Sequence, residues 1–289
     1  MNIGNRNTGR ENFFMGKRLR IAVFIVFFIG IVLTAFRYFK FVSKTVYEES
    51  ASHLTEVFHQ SNNVLNELAN KNLTYLHMWG EYLKKVSDES EIRDYIDKAQ
   101  EEAGFLYFYF LSADGNYKML TGEAGYLGLQ ENLEDKITLG EDIITNAVVP
   151  GKQQMLVFAS PQSHGSYQGF EYDAIAIAYE NADIVDVLDI SAFNGNAKSY
   201  VVHPDGRVVI DHSFEAWGTV YNFFGVLREH SNISEKEILE LSEKFKERRT
   251  DTMLVNLDGS NYYLVYGSSE CQDWIFLGLV QADIVNASM

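Results

Sequence analysis

Cysteine is almost missing from this chain. Cys271 is the only one in 289 residues, so no internal disulfide framework can form. With no activating neighbour in sequence, its thiol reads as incidental rather than nucleophilic. Proline is as scarce, with Pro150, Pro161 and Pro204 the only three, and none breaks the first half of the chain. Basic residues are outnumbered, 24 Lys/Arg against 40 Asp/Glu, giving a formal net charge of −16. The first 44 residues hold eight of those cations and one acid, so residues 45–289 carry −23. A region so acidic has no footprint for a phosphate backbone, which excludes a nucleic-acid partner.

Long apolar runs are absent with one exception. Leu19 to Phe36 reads LRIAVFIVFFIGIVLTAF, and the 16 residues Ile21–Phe36 are free of charge. Sixteen residues rise about 24 Å, just short of a ~30 Å hydrocarbon layer. Leu19, Tyr38 and Phe39 complete a span, while Arg20 and Arg37 reach the headgroups on their aliphatic stems. No small-x-small cleavage site follows, so the segment reads as an uncleaved anchor over 19–39. Five basic residues precede it and three follow closely, which places residues 1–18 in the cytoplasm and the remainder outside. The expected location is the cell membrane, single-pass, with an extracytoplasmic main domain.

Between residues 42 and 87 there is no proline, and Gly80 is the only glycine. Apolar residues at Leu54, Phe58, Leu65, Leu68, Tyr75, Leu76, Trp79, Tyr82, Leu83 and Val86 recur at three-and-four spacing. That is the period of an amphipathic helix. The spacing predicts a stalk helix of about 40 residues, a break at Ser87–Ser90, and a second helix ending at Ala103; these fill 40–103. The stripe serves as a dimer seam or packs on the following domain. Ser61 and Asn72 interrupt it, which favours own-domain packing for the distal half.

Past Gly104 the period becomes two. FLYFYFLSADGNYKML and AKSYVVHPDGRVVIDHS are each strand, Asp-Gly turn, strand, with two-residue loops expected at Asp114-Gly115 and Asp205-Gly206. MLVNLDGSNYYLVYGSSECQDWIFLGLVQ reads as a three-strand meander, and QQMLVFASPQSHGSYQGFEYDAIAIAYEN is its partner in the first half. The connecting stretches LEDKITLGEDIITNAV, YNFFGVLREHSN and SEKEILELSEKFKERR read as helical or irregular. Ala182-Asp183-Ile184-Val185 recurs as Ala282-Asp283-Ile284-Val285 after the second meander. The order of pieces predicts two copies of one α+β unit, about 104–190 and 197–286.

A signal anchor, a long outside helix, the two strand–Asp-Gly–strand pieces and the closing LGLVQADIV together resemble the double Cache family. These are PAS-like extracytoplasmic sensor domains of bacterial receptors. The resemblance covers residues 40–289. It implies an α+β fold with antiparallel sheets, a membrane-distal module at 104–190 that holds a small ligand, and a membrane-proximal module at 191–289. It also implies a homodimer through the stalk helix, no cofactor, and a second membrane span leading to a histidine kinase, diguanylate cyclase or chemotaxis output. The chain reaches Met289 without that span, so a fragment of a longer receptor is expected. The texture is most similar to the input half of a histidine kinase, with a diguanylate cyclase next.

A ligand pocket in the distal module draws its wall from Tyr107, Tyr109, Tyr117, Phe158, Tyr172 and Asp173. Tyrosine offers an apolar body and a polar tip. Alternation places Phe105, Tyr107, Tyr109 and Leu111 on one face of their strand, and Tyr172 with Ala174, Ala176 and Ala178 on one face of another. Asp173 is placed to hold a ligand ammonium. Family members that bind amino acids are expected to show an Arg-x-Trp-Tyr stretch, and this chain has none. His203, Asp205, Arg207, Asp211 and His212 are close in sequence, but a hairpin separates the two histidines, so no metal site is expected. Gly-x-Ser-x-Gly, His-Glu-x-x-His and P-loop patterns are all absent. Catalysis within the chain is therefore not expected. A surface hydrolase and a ligand-free scaffold are the alternatives from other classes.

Overall fold

The computed structural model describes residues 8–129, 132–148, 154–181, 183–184, 197–211, 217, 220–269 and 272–287, without the side chains of 8–23, 25, 26, 43, 148, 286 and 287. Pro150, His212, Cys271, the segment 185–196 and two residues of the first Ala-Asp-Ile-Val lie outside the described residues. Two compact units result, residues 1–52 and 53–289.

Helix α1 spans Thr8–Leu83. In the first unit its described apolar side chains are bare: Phe24, Phe27, Phe28, Leu33, Phe36 and Phe39 are each more than half exposed. Among the described residues, no helix is long and apolar enough to cross a membrane; Leu19 to Val23, Ile25 and Val26 have no described side chains.

In the second unit most of the predicted stripe is buried, while Leu68, Tyr75, Tyr82 and Val86 are half-buried along its flank. Leu54, Phe58, Leu65, Leu76, Trp79 and Leu83 are each less than a tenth exposed. The polar interruptions turn inward too, because each finds a partner. Asn62 donates to the Ser268 carbonyl at 3.1 Å, Ser269 hydrogen-bonds Asn66 at 3.1 Å, and the Tyr179 hydroxyl donates to Asn72 at 2.9 Å. Gly80 lies against the Gln162 side chain: a Cβ there would come within 2.1–2.6 Å of its amide end, which would have to shift. Helix α2, Glu89–Ala103, starts where the break was predicted. Asp88 caps it by accepting from the Ser90 N–H, and Gly104 closes it at φ 76°.

The described residues form twelve strands in two antiparallel sheets. The first holds β1 Tyr107–Leu111, β2 Asn116–Met119, β3 Ala124–Tyr126, β4 Gly128–Leu129, β5 Ile143–Val148, β6 Gln154–Tyr167 and β7 Phe170–Glu180, in the order β3-β2-β1-β7-β6-β5-β4. The second holds β8 Ala197–Val202, β9 Val208–Asp211, β10 Asp251–Leu257, β11 Ser260–Ser268 and β12 Ile275–Gln281, in the order β10-β11-β12-β8-β9. The run β2-β1-β7-β6-β5 has the same connectivity as β9-β8-β12-β11-β10. In both, a hairpin is followed by a meander whose last strand pairs with the hairpin's first. IITNAV, expected to be helical or irregular, is strand β5; its β-branched Ile143, Ile144 and Thr145 fit a pleated, buried surface.

The turns differ from expectation by one residue. His203 donates to the Arg207 carbonyl at 2.8 Å, so the loop is Pro204-Asp205-Gly206 and only Gly206 has positive φ. Ala113-Asp114-Gly115 is built alike, with Ser112 N–H on the Asn116 carbonyl at 3.0 Å. His203 therefore faces Arg207, not Val208. Asp258-Gly259, at φ 49° and 84°, is the two-residue type.

Each sheet is covered on both faces. Residues 54–69 of α1 lie on the second sheet, where Phe58 meets Phe276 edge-on at 4.7 Å and the Thr55 and Thr252 hydroxyls hydrogen-bond at 3.3 Å. Residues 72–83 lie on the first, where Trp79 packs on Phe105 at 5.4 Å and Phe108 at 6.2 Å. The opposite face of the first sheet carries α3, Leu133–Leu139. That of the second carries α4, Phe223–His230, and α5, Glu235–Lys246, which starts in a capping box at Ser234 and Glu237. A short α6, Ala282–Ala287, follows β12. The sheets are also joined directly. Asn146 and Asn181 both donate to the Val209 carbonyl, and Gln154 reaches that of Val208 at 3.5 Å.

Phe58 is 2% exposed. Phe58→Ala is expected to lower unfolding free energy by about 3–5 kcal/mol in urea titration, whereas Glu67→Ala, on the exposed side of the same helix, should change it by under ~0.5 kcal/mol. Equal losses would show that the two faces of α1 do not differ in packing.

Candidate functional site

The α3 face of the first sheet is built from small and large residues in register. Ala174, Ala176 and Ala178 on β7 stand opposite Leu111, Tyr109 and Tyr107 on β1. The alanine methyls leave a trough, and tyrosine rings fill it: Tyr107 and Tyr109 are 5.9 Å apart, Tyr109 and Tyr117 4.9 Å. Gly125 on β3 gives the last ring its room, since a Cβ there would sit 2.9 Å from the Tyr117 hydroxyl. Tyr109 is almost fully buried, and burial first, then the neighbouring phenols of Tyr117 and Tyr107, raises its pKa far above the usual value. It stays a protonated donor at every physiological pH.

At the end of this face a cavity of about 260 Å³ opens between the β1–β2 turn and the start of α3. Ala113, Asp114, Gly115, Tyr126, Asn132 and Glu134 are among its walls. The Asp114 carboxyl is held below its ordinary pKa by the Ser112 hydroxyl and the Asn116 backbone N–H.

The six predicted pocket residues do not share one surface. Tyr107, Tyr109 and Tyr117 do, on the α3 side. Phe158 lies on the α1 side, because it pairs with Ile177 on β7 and meets Tyr179 edge-on at 5.9 Å. Tyr172 also turns to that side and packs on Phe110 at 4.9 Å, away from the alanine row. The cause is a register shift in β6 between Pro161 and Gly165. Phe105 precedes β1 and joins Trp79 rather than the tyrosines. Asp173 is already engaged: one oxygen accepts from the Ala113 N–H at 2.9 Å, the other from His164 at 3.2 Å. It fastens the β1–β2 turn to the β6–β7 hairpin.

The second sheet holds a related arrangement that sequence reading missed. Tyr200 precedes its turn aspartate by five residues, as Tyr109 does, and is buried against Phe223 at 5.6 Å. Its cross-strand partner is Asp211, where Tyr109 has Met119. Burial raises the Asp211 pKa to about 6, opposed by the Val220 N–H donated at 3.0 Å. Its second oxygen has no partner among the described residues. The signal was an acid in phase with a buried strand face, obscured by His212 beside it in sequence. Among the described residues, no three His, Cys, Asp or Glu side chains could hold a metal ion together.

No family model matches the chain, and no curated protein matches it. Solved structures do. The ligand-binding domain of the Pseudomonas aeruginosa PAO1 amino-acid chemoreceptor PctB, in complex with L-Gln, is 14% identical, with a TM-score of 0.58 over 82% of this chain and 93% of that one. The extracellular domain of mmHK1S-Z3, assigned to a histidine kinase, is 12% identical, TM-score 0.57, over 85% and 97%. The sensory domain of the Campylobacter jejuni chemoreceptor Tlp3 with isoleucine bound is 9% identical, TM-score 0.53, over 84% and 97%. The chain has the α+β fold of these sensory domains, with antiparallel sheets behind a long N-terminal helix.

A raised carboxyl pKa means the folded state holds the proton more tightly than the unfolded one. The stabilisation is fully present below the ordinary value of 3.8 and is lost as pH rises through about 6. Asp211→Asn should therefore melt at higher temperature than the parent chain at pH 7, the gap narrowing towards pH 4. A gap independent of pH would show that the carboxyl is not protonated in the folded state.

Proposed function

We propose that this chain is the extracytoplasmic ligand-sensing region of a bacterial membrane signalling receptor, with two tandem Cache-like modules, 104–190 and 191–289, on a stalk helix. The observation that carries the reading is the repeated strand order, each copy resting on α1, in a fold that covers more than 80% of this chain in chemoreceptor and histidine-kinase sensory domains. A histidine kinase is the output we favour.

Residues 19–39 are the anchor in this reading. The support is the charge-free run and the bare phenylalanines of the first unit, an apolar surface that water does not tolerate at this extent. The second copy of the chain docks along the half-exposed flank of the buried α1 stripe. Val64, Leu68, Lys71, Tyr75, Met78 and Tyr82 follow a strict four-three spacing; Val64 is 38% exposed, Met78 56%. Lys71 stands over the Tyr75 ring at 5.6 Å, so its stem and charge fit the stripe.

The ligand sits on the α3 side of the first sheet, against Tyr107, Tyr109 and Tyr117. The PctB domain is in complex with L-Gln and the Tlp3 domain has isoleucine bound, but this chain lacks Arg-x-Trp-Tyr, so a different small molecule, or a different grip on an amino acid, is proposed. In a thermal-shift screen of the full chain in micelles, one metabolite class should raise the melting temperature, and Tyr107→Ala should remove the rise. No shift with any class would overturn the sensing assignment. For the seam, Val64→Asp with Met78→Asp should turn a dimer into a monomer by light scattering; a dimer that survives both substitutions refutes that placement.

A further inference from the structure

The α1 face of the first sheet holds a second, larger cavity, of about 350 Å³. It lies between the α1–α2 corner and the tip of the β6–β7 hairpin, on the opposite side of the sheet from the tyrosine trough. Its floor is aromatic. Phe110 and Tyr167 stack at 4.3 Å with 16° between their planes, and Tyr172 leans on Phe110. Its rim is polar: Ser87 from the corner, and Ser163, Ser166 and Gln168 from the hairpin.

Two local distortions build this wall. The register shift between Pro161 and Gly165 turns Ser163 and His164 out of the ladder. Gly165 then leaves space for the Tyr172 ring to lie over the backbone, since a Cβ at that position would stand 2.3–2.8 Å from three ring atoms. At the tip, Gln168 and Gly169, at φ 48° and 72°, form a tight primed turn.

Charge decides the ligand class. Lys84 is held by Glu81 at 2.5 Å. His164 is held between Asp173 at 3.2 Å and Glu171 at 3.3 Å. Glu89 is the remaining ionised group of the lining. No cluster of one sign is left to select an anion or a cation. What remains are three hydroxyls and one amide, groups that both donate and accept, above flat ring faces. Alternating hydroxyls over an apolar C–H face are the complement of that surface. The volume falls at the small end of ligand pockets, about 300–1,000 Å³.

We propose that this cavity binds a neutral saccharide of one or two rings, its C–H face on Phe110, Tyr167 and Tyr172 and its hydroxyls on Ser163, Ser166 and Gln168. The lining includes Leu83, the last residue of α1, and Lys84 beyond it. The bound sugar therefore joins the end of the stalk to the β6–β7 hairpin. Binding itself is independent of the α3-side site; only its signalling consequence rests on the sensor reading.

The test is saturation-transfer NMR on the full chain in a zwitterionic, sugar-free detergent, with glucose, N-acetylglucosamine, maltose, galacturonate and glucosamine as probes at about 10 mM. At least one neutral sugar should show transfer to its ring C–H protons, with weaker transfer for its charged counterparts. Gln168→Ala, a change at a half-buried turn residue, should weaken that binding at least tenfold, as should Gly165→Ala through displacement of the Tyr172 ring. Tyr107→Ala, on the other face, should leave it unchanged. No transfer from any neutral sugar overturns the proposal, as does equal transfer from the charged ones or binding that survives Gln168→Ala and Gly165→Ala. A sugar signal lost with Tyr107→Ala would move the site to the α3 side. Success here with no response in the metabolite screen at Tyr107 would sink the α3-side site alone.

Discussion

The burial of one stripe of α1 is the constraint on which the rest of the second unit depends. From Leu54 to Leu83 the same helix supplies one wall of two separate cores. Each sheet has an apolar face that would otherwise meet water, and the helix covers both in succession. Phe58 against Phe276 serves one; Trp79 against Phe105 and Phe108 serves the other. The asparagines between them are not defects in the pattern. Asn62, Asn66 and Asn72 fix the helix's rotation and axial position, because a slip by one residue would strand several buried amides at a cost of about 1–3 kcal/mol each.

Much of this was legible in the chain. The three-and-four spacing gave most of the buried face of α1, and the break at Ser87–Ser90 and the change of period past Gly104 bounded α2. The Asp-Gly pairs marked the β1–β2, β8–β9 and β10–β11 hairpins, but not β6–β7, which turns at Gln168-Gly169. Their loop lengths were less readable, because a residue before the pair joins the loop in two cases. Residue type alone does not separate a three-residue loop with one left-handed glycine from a two-residue loop with two positive φ values. Strand β5 was hidden in an acidic context, although its Ile-Ile-Thr core carried the signal.

The candidate site was half legible for a geometric reason. Alternation within β1 put Tyr107 and Tyr109 on one face. Alternation fails where a strand gains residues relative to its partner, and the β6 shift sits beside Tyr172. Register between strands is a property of pairing, so the side on which Phe158 falls could not be read along β6 alone. Asp173 looked like a free acid at a strand opening. The backbone N–H of Ala113 and the ring of His164 had already claimed it.

The amides that join the two sheets have a further consequence. Strand β9 is the outermost strand of its sheet, and a bare outer strand is a template for another chain to add to. Asn146 and Asn181 close over the Val209 carbonyl, and Gln154 over that of Val208. They occupy the acceptors that an intruding strand would need. The chain is thereby guarded against runaway polymerisation on that flank by three side chains contributed by its own neighbouring half.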